Sequence, residues 1–314
     1  MYLYHFGLRE LPFTITPNTS FYCGLKAHDE ALQVLVTALK TGEGFIKVTG
    51  EVGTGKTLLC RKLLNELPDH FVTAYVPNPF LNPFELRRAV ASELGVLPAQ
   101  TMAQSAGQQG NSAPDHFELA ERIQQRLLDI HREGKTVVVI IDEAQALPQE
   151  SLEALRLFSN LETEQRKLVH LVLFGQPELD QRLATDSLRQ LRQRIGFSYQ
   201  LRSMTVDEVG QYIHHRLQVA GYQGAELFPP AIVKKLHKAS RGVPRLVNIL
   251  SHKCLLLTFG RDAPEVTPLA LCEAIADTSD ASSGNKVARW FLPGAVATVA
   301  MLATAMLMAE GVSV

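Results

Sequence analysis

The stretch that most constrains this chain is GEVGTGKT, Gly50 to Thr57. It matches G-x-x-x-x-G-K-[ST] and stands between an apolar strand-like run, FIKVTG, and a helical run, KTLLCRKLLNEL. The chemistry explains that spacing. Glycines let the backbone turn tightly and aim its N–H groups at an anion. The helix that follows adds the positive end of its dipole to the same place. Gly50, Glu51, Val52, Gly53, Thr54, Gly55, Lys56, Thr57 and Leu58 are therefore expected to form a phosphate cradle. Lys56 is spaced to reach β and γ phosphates, and the Thr57 hydroxyl to hold a Mg2+ that bridges them. ATP and Mg2+ are the expected ligands.

VVVIIDEAQ supplies the second half of such a site. Asp142 ends an apolar strand and is a candidate Mg2+ ligand beside Thr57. Glu143 follows and is a candidate to accept a proton from the attacking water, or to orient it. Gln176 ends a later strand in LVLFGQPEL, at the strand end where parallel sheets place their ligands. Its amide is a candidate for positioning water near the γ-phosphate. LRQLRQRIGF contains Arg189, Arg192 and Arg194, one of which is a candidate finger into a neighbouring subunit's ATP site. Arg245 opens a helix in GVPRLVNIL and is a candidate for contacting the γ-phosphate and coupling nucleotide state to domain angle.

Strands and helices alternate as far as Leu201. FIKVTG, HFVTAYV, TVVVIID, LVHLVLFG and FSYQL read as five strands separated by amphipathic helices. TVVVIID is apolar on both faces, as a central strand covered by helices on both sides should be. That alternation predicts a doubly wound α/β domain over 25–203. Residues 98–114, biased to Gln, Ala, Ser and Gly, read as a loop or insertion. From Thr205 the strands stop and four helical segments follow, the first opened by a Thr205-x-x-Glu208 capping box. They predict a small helical lid over 204–277. SDASSGNK supplies a polar linker over 278–289.

The stretch from Trp290 to Ala309 contains no charged residue, Asn, Gln or His. About 20 such residues suffice for a helix to cross a bilayer. Lys286 and Arg289 precede the run and Glu310 follows it, so the N-terminal side is expected on the cytoplasmic face. A transmembrane helix is therefore expected over 290–309, with a short tail over 310–314. The alternative is a helix that packs on a partner protein. MYLYHFGLRE carries no long apolar run and is not a secretory signal. The formal charge of −1 argues against coating nucleic acid by bulk electrostatics. The four cysteines are scattered without metal spacing, and no HExxH occurs.

With these motifs in order the chain resembles an AAA+ ATPase, and more narrowly the ExeA/GspA family of membrane-associated ATPases linked to type II secretion. Its likeness extends to the branch acting in MSHA type IV pilus biogenesis. HFGLRELPFTITPN, GEGFIKVTGEVGTGKTLLCRKLL, VVVIIDEAQ, LFGQPEL, LRQRI and GVPRLVN carry the resemblance, over roughly residues 3–250. It implies a P-loop sheet in the order 5-1-4-3-2, a helical lid and ATP hydrolysis at the interfaces of a homo-oligomeric ring or partial ring. It implies sensor roles for Gln176 and Arg245 and a finger near Arg194. It also implies that residues 1–24, chiefly Phe13 to Gly24, lie near the adenine. Inner-membrane pilus or secretion assembly proteins are the implied partners, with the ATPase on the cytoplasmic face of the inner membrane. ExeA-like proteins carry a periplasmic peptidoglycan-binding domain beyond their span, and no such role is carried over to Glu310–Val314. Rival expectations are a transposition-type, nucleic-acid-associated regulator and an ATP-gated scaffold with little turnover. Lys56→Ala should abolish ATP binding, measured by fluorescent-nucleotide titration. Retained tight binding would count against the cradle.

Overall fold

In the computed structural model, the described residues are 2–77, 79–97, 116–158 and 167–281. Two compact units emerge. One comprises residues 16–203, the other residues 2–15 together with 204–281. The expected loop over 98–114 and the expected membrane helix over 290–309 lie outside the described residues. Among the described residues no helix is long and apolar enough to cross a membrane.

The first unit is built on five parallel strands: β1 (Phe45–Gly50), β2 (Phe71–Val76), β3 (Thr136–Ile141), β4 (Val169–Gly175) and β5 (Phe197–Leu201). A short helix, α1 (Tyr2–His5), belongs to the other unit. Around the strands lie α2 (Lys26–Lys40), α3 (Lys56–Glu66), α4 (Pro83–Glu93), α5 (His116–Arg132), α6 (Gln149–Phe158), α7 (Pro177–Leu183) and α8 (Arg189–Arg192). The sheet order is β2-β3-β4-β1-β5, the order that the resemblance implies. All four pairings are parallel, so every neighbour is reached by a crossover. In β1–β4 pairing, Thr49 stands opposite Gly175, and in β2–β3 pairing Val76 stands opposite Ile141.

Alternation along the strands divides the core in two. Ile46, Val48, Val138, Ile140, Val172 and Phe174 turn to the face covered by α2 and α3, against Ala31, Leu35, Leu59 and Leu63. Val137, Val139, Ile141, Leu171 and Leu173 turn to the other face, against Leu86, Leu119, Leu127, Leu155 and Leu179. Both faces being covered explains why β3 and β4 are apolar apart from Thr136 and the buried His170. Lys47 is the exception on β1, and its ammonium pairs with Asp180 of α7. Helix α6 is amphipathic, with Leu152, Leu155 and Phe158 buried on one side, whereas α7 and α8, at 7 and 4 residues, are too short to show a helical repeat.

The second unit contains α9 (Val206–Val219), α10 (Pro230–Ser240), α11 (Pro244–Gly260) and α12 (Pro268–Ala276). The expected capping box starts α9: Glu208 N–H donates to Thr205 Oγ1 at 3.3 Å, and Thr205 N–H to Glu208 Oε2 at 2.8 Å. The chain's start is tied into this bundle. Arg216, buried in α9, donates to the carbonyl of Pro12, to the Tyr212 hydroxyl at 2.8 Å and to the Thr14 carbonyl at 3.4 Å. Asn248 Nδ2 also donates to the Thr14 carbonyl. Phe13 meets Phe228 edge-on, with ring centroids 5.9 Å apart. The segment 1–24 is thus divided at Ile15–Thr16: residues 2–15 belong to the helical unit, and 16–24 to the sheet unit.

Arg216→Met would leave those buried carbonyls without their charged donor. It should destabilise the second unit by about 2–4 kcal/mol. Hydrogen exchange should show amides of residues 2–15 losing protection while β1, β3 and β4 keep theirs. Unchanged protection over 2–15 would remove Arg216 as the anchor.

Candidate functional site

The site lies at the C-terminal edge of the sheet unit, where β1, β3 and β4 end side by side. After Gly50 the backbone turns sharply, with Gly53 at φ 81° and Gly55 at φ 97°. Those values suit glycine and disfavour any residue with a Cβ. A Cβ at Gly50 would also sit 2.9 Å from Thr54 Oγ1 and 3.1 Å from the Leu201 carbonyl oxygen. Helix α3 starts at Lys56 with no side-chain cap on its N-terminus. Its first N–H groups are the kind that an anion satisfies.

Lys56 is buried and folds back on the loop, donating to the carbonyls of Gly50 at 2.7 Å and Glu51 at 2.9 Å. Burial lowers its pKa, while Glu143 and Asp142 pull it back up. The Thr54 hydroxyl closes the loop onto the Glu51 carbonyl at 2.8 Å. On the loop's outer side, the Thr54 carbonyl lies 2.9 Å from His28 Nε2 of α2.

Asp142 follows β3 and is 2% exposed. It accepts a hydrogen bond from the Thr57 hydroxyl, and Asp142 Oδ1 accepts from the Glu143 N–H at 2.9 Å. Desolvation nevertheless holds its pKa above the ordinary carboxylate value. Two oxygen-bearing side chains this close suit Mg2+, which keeps several waters and takes phosphate oxygens as its other ligands. Among the described residues no group of three or more His, Cys, Asp or Glu forms a protein-only metal cage. The donor set therefore fits Mg2+ carried by a nucleotide.

Glu143 adopts left-handed backbone at φ 52°, which turns its side chain out of the strand line. Its Oε2 accepts from Gln145 Nε2 at 2.6 Å and from Gln176 Nε2 at 3.1 Å. Gln145 Oε1 in turn accepts from the Gln176 N–H at 2.9 Å, and the Gln145 carbonyl accepts from Arg182 at 2.5 Å. Gln145 stands in the quoted VVVIIDEAQ, yet nothing in its spacing signals this bridge between the ends of β3 and β4. Arg189, Arg192 and Arg194 are exposed ahead of β5, and Arg192 donates to the Ala184 carbonyl at 3.3 Å. Arg245 is exposed in the first turn of α11, in the other unit.

Residues 39–183 match the family model of the AAA domain. Over those residues this chain is similar to an AAA domain. It is 41% identical over 266 residues to the general secretion pathway protein A of Aeromonas hydrophila, across 85% of this chain and 46% of that protein. The chain thus spans about half the length of that curated relative. Solved structures share the fold. Cdc6p from Pyrobaculum aerophilum aligns with TM-score 0.63 and 17% identity, over 83% of this chain and 69% of that one. The Walker-type ATPase of Pyrococcus abyssi aligns with TM-score 0.55 and 15% identity, over 92% and 79%. The matched stretch includes the Gly50–Thr57 loop, the acidic end of β3 and Gln176.

Because folding raises the Asp142 pKa, its ionised form opposes folding. That penalty is absent below the ordinary carboxylate pKa and grows as pH rises through the raised value. Asp142→Asn removes the charge and keeps an acceptor for Thr57. At neutral pH it should raise the melting temperature of the nucleotide-free protein by about 2–4 °C. The gain should shrink as pH falls towards the carboxylate range. A variant that melts lower at neutral pH would contradict this account.

Proposed function

We propose that this chain binds ATP with Mg2+ at Gly50–Leu58 and hydrolyses it to drive or regulate assembly of a secretion or MSHA-type pilus machine. The observation that carries the catalytic part is the convergence of Glu143, Gln145 and Gln176 beside the Thr57–Asp142 pair. The backbone of Gly53 to Thr57 binds the phosphates, and Lys56 exchanges its two carbonyls for phosphate oxygens. Thr57 and Asp142 would hold Mg2+, which when bound neutralises charge on the β and γ oxygens. Both amides reach Oε2 of Glu143, which leaves Oε1 to take a proton from water or to orient it. Gln176 stands at the same strand edge and reports on the γ-phosphate.

Hydrolysis takes place between copies of the chain, with Arg194 as the finger and Arg189 or Arg192 as its substitutes. Their exposure ahead of β5 suits that role. Arg245 reads the γ-phosphate from the lid, and Phe13 to Gly24 lies near the adenine. Anchoring is through Trp290–Ala309, in one pass of the inner membrane with the ATPase in the cytoplasm. The 41% identity to general secretion pathway protein A supports partners in a secretion apparatus. The apolar run and the Lys286–Arg289 flank support the anchor. The rival is a nucleic-acid-associated regulator. It is favoured by the exposed Lys234, Lys235 and Lys238 along α10 and by Arg241 just after it.

Glu143→Gln in the full chain should bind ATP yet turn over about 10²–10⁴-fold more slowly. Full turnover would remove Glu143 from its role. Arg194→Ala should bind ATP but lose the rise in specific activity with protein concentration, and an unchanged rise would exclude Arg194 as the finger. Crosslinking in cells with the Glu143→Gln protein, read by mass spectrometry, tests the partners. Capture of inner-membrane assembly proteins supports the proposal. Capture of DNA-bound proteins instead supports the regulator.

A further inference from the structure

His28 is buried in the first turn of α2, on a different element from the cradle and 26 positions away from its contact. Its Nε2 stands 2.9 Å from the Thr54 carbonyl oxygen. A carbonyl only accepts, so Nε2 must carry the hydrogen. The chain has no cis peptide among the described residues, so the Thr54–Gly55 unit is trans. In a trans peptide the C=O and the following N–H point in opposite directions. Holding the Thr54 carbonyl outward therefore turns the Gly55 N–H to the opposite side, into the loop.

We infer that His28 is a positioning residue of the phosphate cradle: its Nε2–H fixes the Thr54–Gly55 peptide so that the Gly55 N–H faces bound phosphate. The inference rests on the ATP-site reading above. Three loop carbonyls are held by side chains in this geometry. Lys56 holds those of Gly50 and Glu51, and His28 holds that of Thr54. Lys56 is drawn to the phosphates when nucleotide binds. His28 lies outside the cradle and keeps its grip. It also backs the turn sterically, since a Cβ at Gly55 would lie 2.9 Å from His28 Nε2.

The imidazole is itself held in place. Tyr22 meets it edge-on, with centroids 6.4 Å apart and planes at 89°. The Tyr22 hydroxyl donates to Asp29 Oδ1 at 2.9 Å, on the same helix turn as His28. The segment over 16–24 thereby braces the loop through a ring contact. Loss of the Nε2–H would free a peptide whose flip points a carbonyl oxygen, not an N–H, at the incoming anion.

The test compares two amides at position 28 in the full chain. In His28→Gln the amide nitrogen can reach about where Nε2 stood, whereas in His28→Asn it falls short. Fluorescent-ATP titration should give His28→Gln an affinity within about threefold of wild type, and His28→Asn one weakened about tenfold. In turnover, KM should rise for His28→Asn while kcat at saturating ATP stays within about twofold, since Glu143 and Gln176 are untouched. Melting temperatures establish that both variants are folded. Equal affinities for the two amides, both normal or both weak, would overturn the donor role. Lys56→Ala keeps the two readings apart. If wild type binds ATP in a Lys56-dependent way and the amides do not differ, only the His28 inference fails. If wild type shows no Lys56-dependent binding, the ATP-site reading itself fails.

Discussion

The tight turn after Gly50 leaves loop carbonyls that no helix or strand partner satisfies, so side chains must supply the donors. Much of the site follows from that one requirement. The Gly50 and Glu51 carbonyls are served by Lys56, and that of Thr54 by His28. Positive φ at Gly53 and Gly55 lets the backbone make the turn at all. Helix α3 begins where the turn ends, with no side-chain cap on its first N–H groups. The crowding around Gly50, against Thr54 and Leu201, shows how little room is left for a side chain at the start of the loop.

The sheet extends this arrangement sideways. In the order β3-β4-β1 the acidic strand end, the glutamine strand end and the cradle are neighbours on one edge. Two hydrophobic faces, each lined by alternate residues of the same strands, hold that edge in register. A slip of one residue would exchange the two faces and carry Asp142 away from Thr57. The buried Asp142, costly without a cation and hydrogen-bonded to Thr57, is where packing strength is traded for a ligand site. Such conflicts between stability and charge are common where a site is built to receive a counter-ion.

Much of the fold was legible in the residues because it depends on local periodicity. The five strands, the long helices and the Thr205 capping box follow from patterns a few residues long. Helices α7 and α8 were not legible. At 7 and 4 residues they are too short to show a helical repeat, and their ends are set by packing on β1 and α6. In sequence the start of the chain reads as one segment, yet Phe13 and Thr14 are bound by α9, α11 and the Phe228 loop, while Phe21 and Tyr22 belong with the sheet. No pattern within 24 residues could signal that division, since each half answers to a different core.

Sequence by itself determined the cradle, the acidic pair at Asp142 and Glu143, and the strand–helix alternation that makes an α/β sheet. Each of these is encoded by residues adjacent in the chain, where backbone geometry alone dictates the choice of Gly, Lys or Asp. Only the tertiary structure decided that Gln145 and Gln176 share the Oε2 of Glu143, and that His28 grips the loop. Those contacts join strand ends and a helix turn brought together by crossovers. Their partners are set by sheet order and register, which no short stretch of the chain contains.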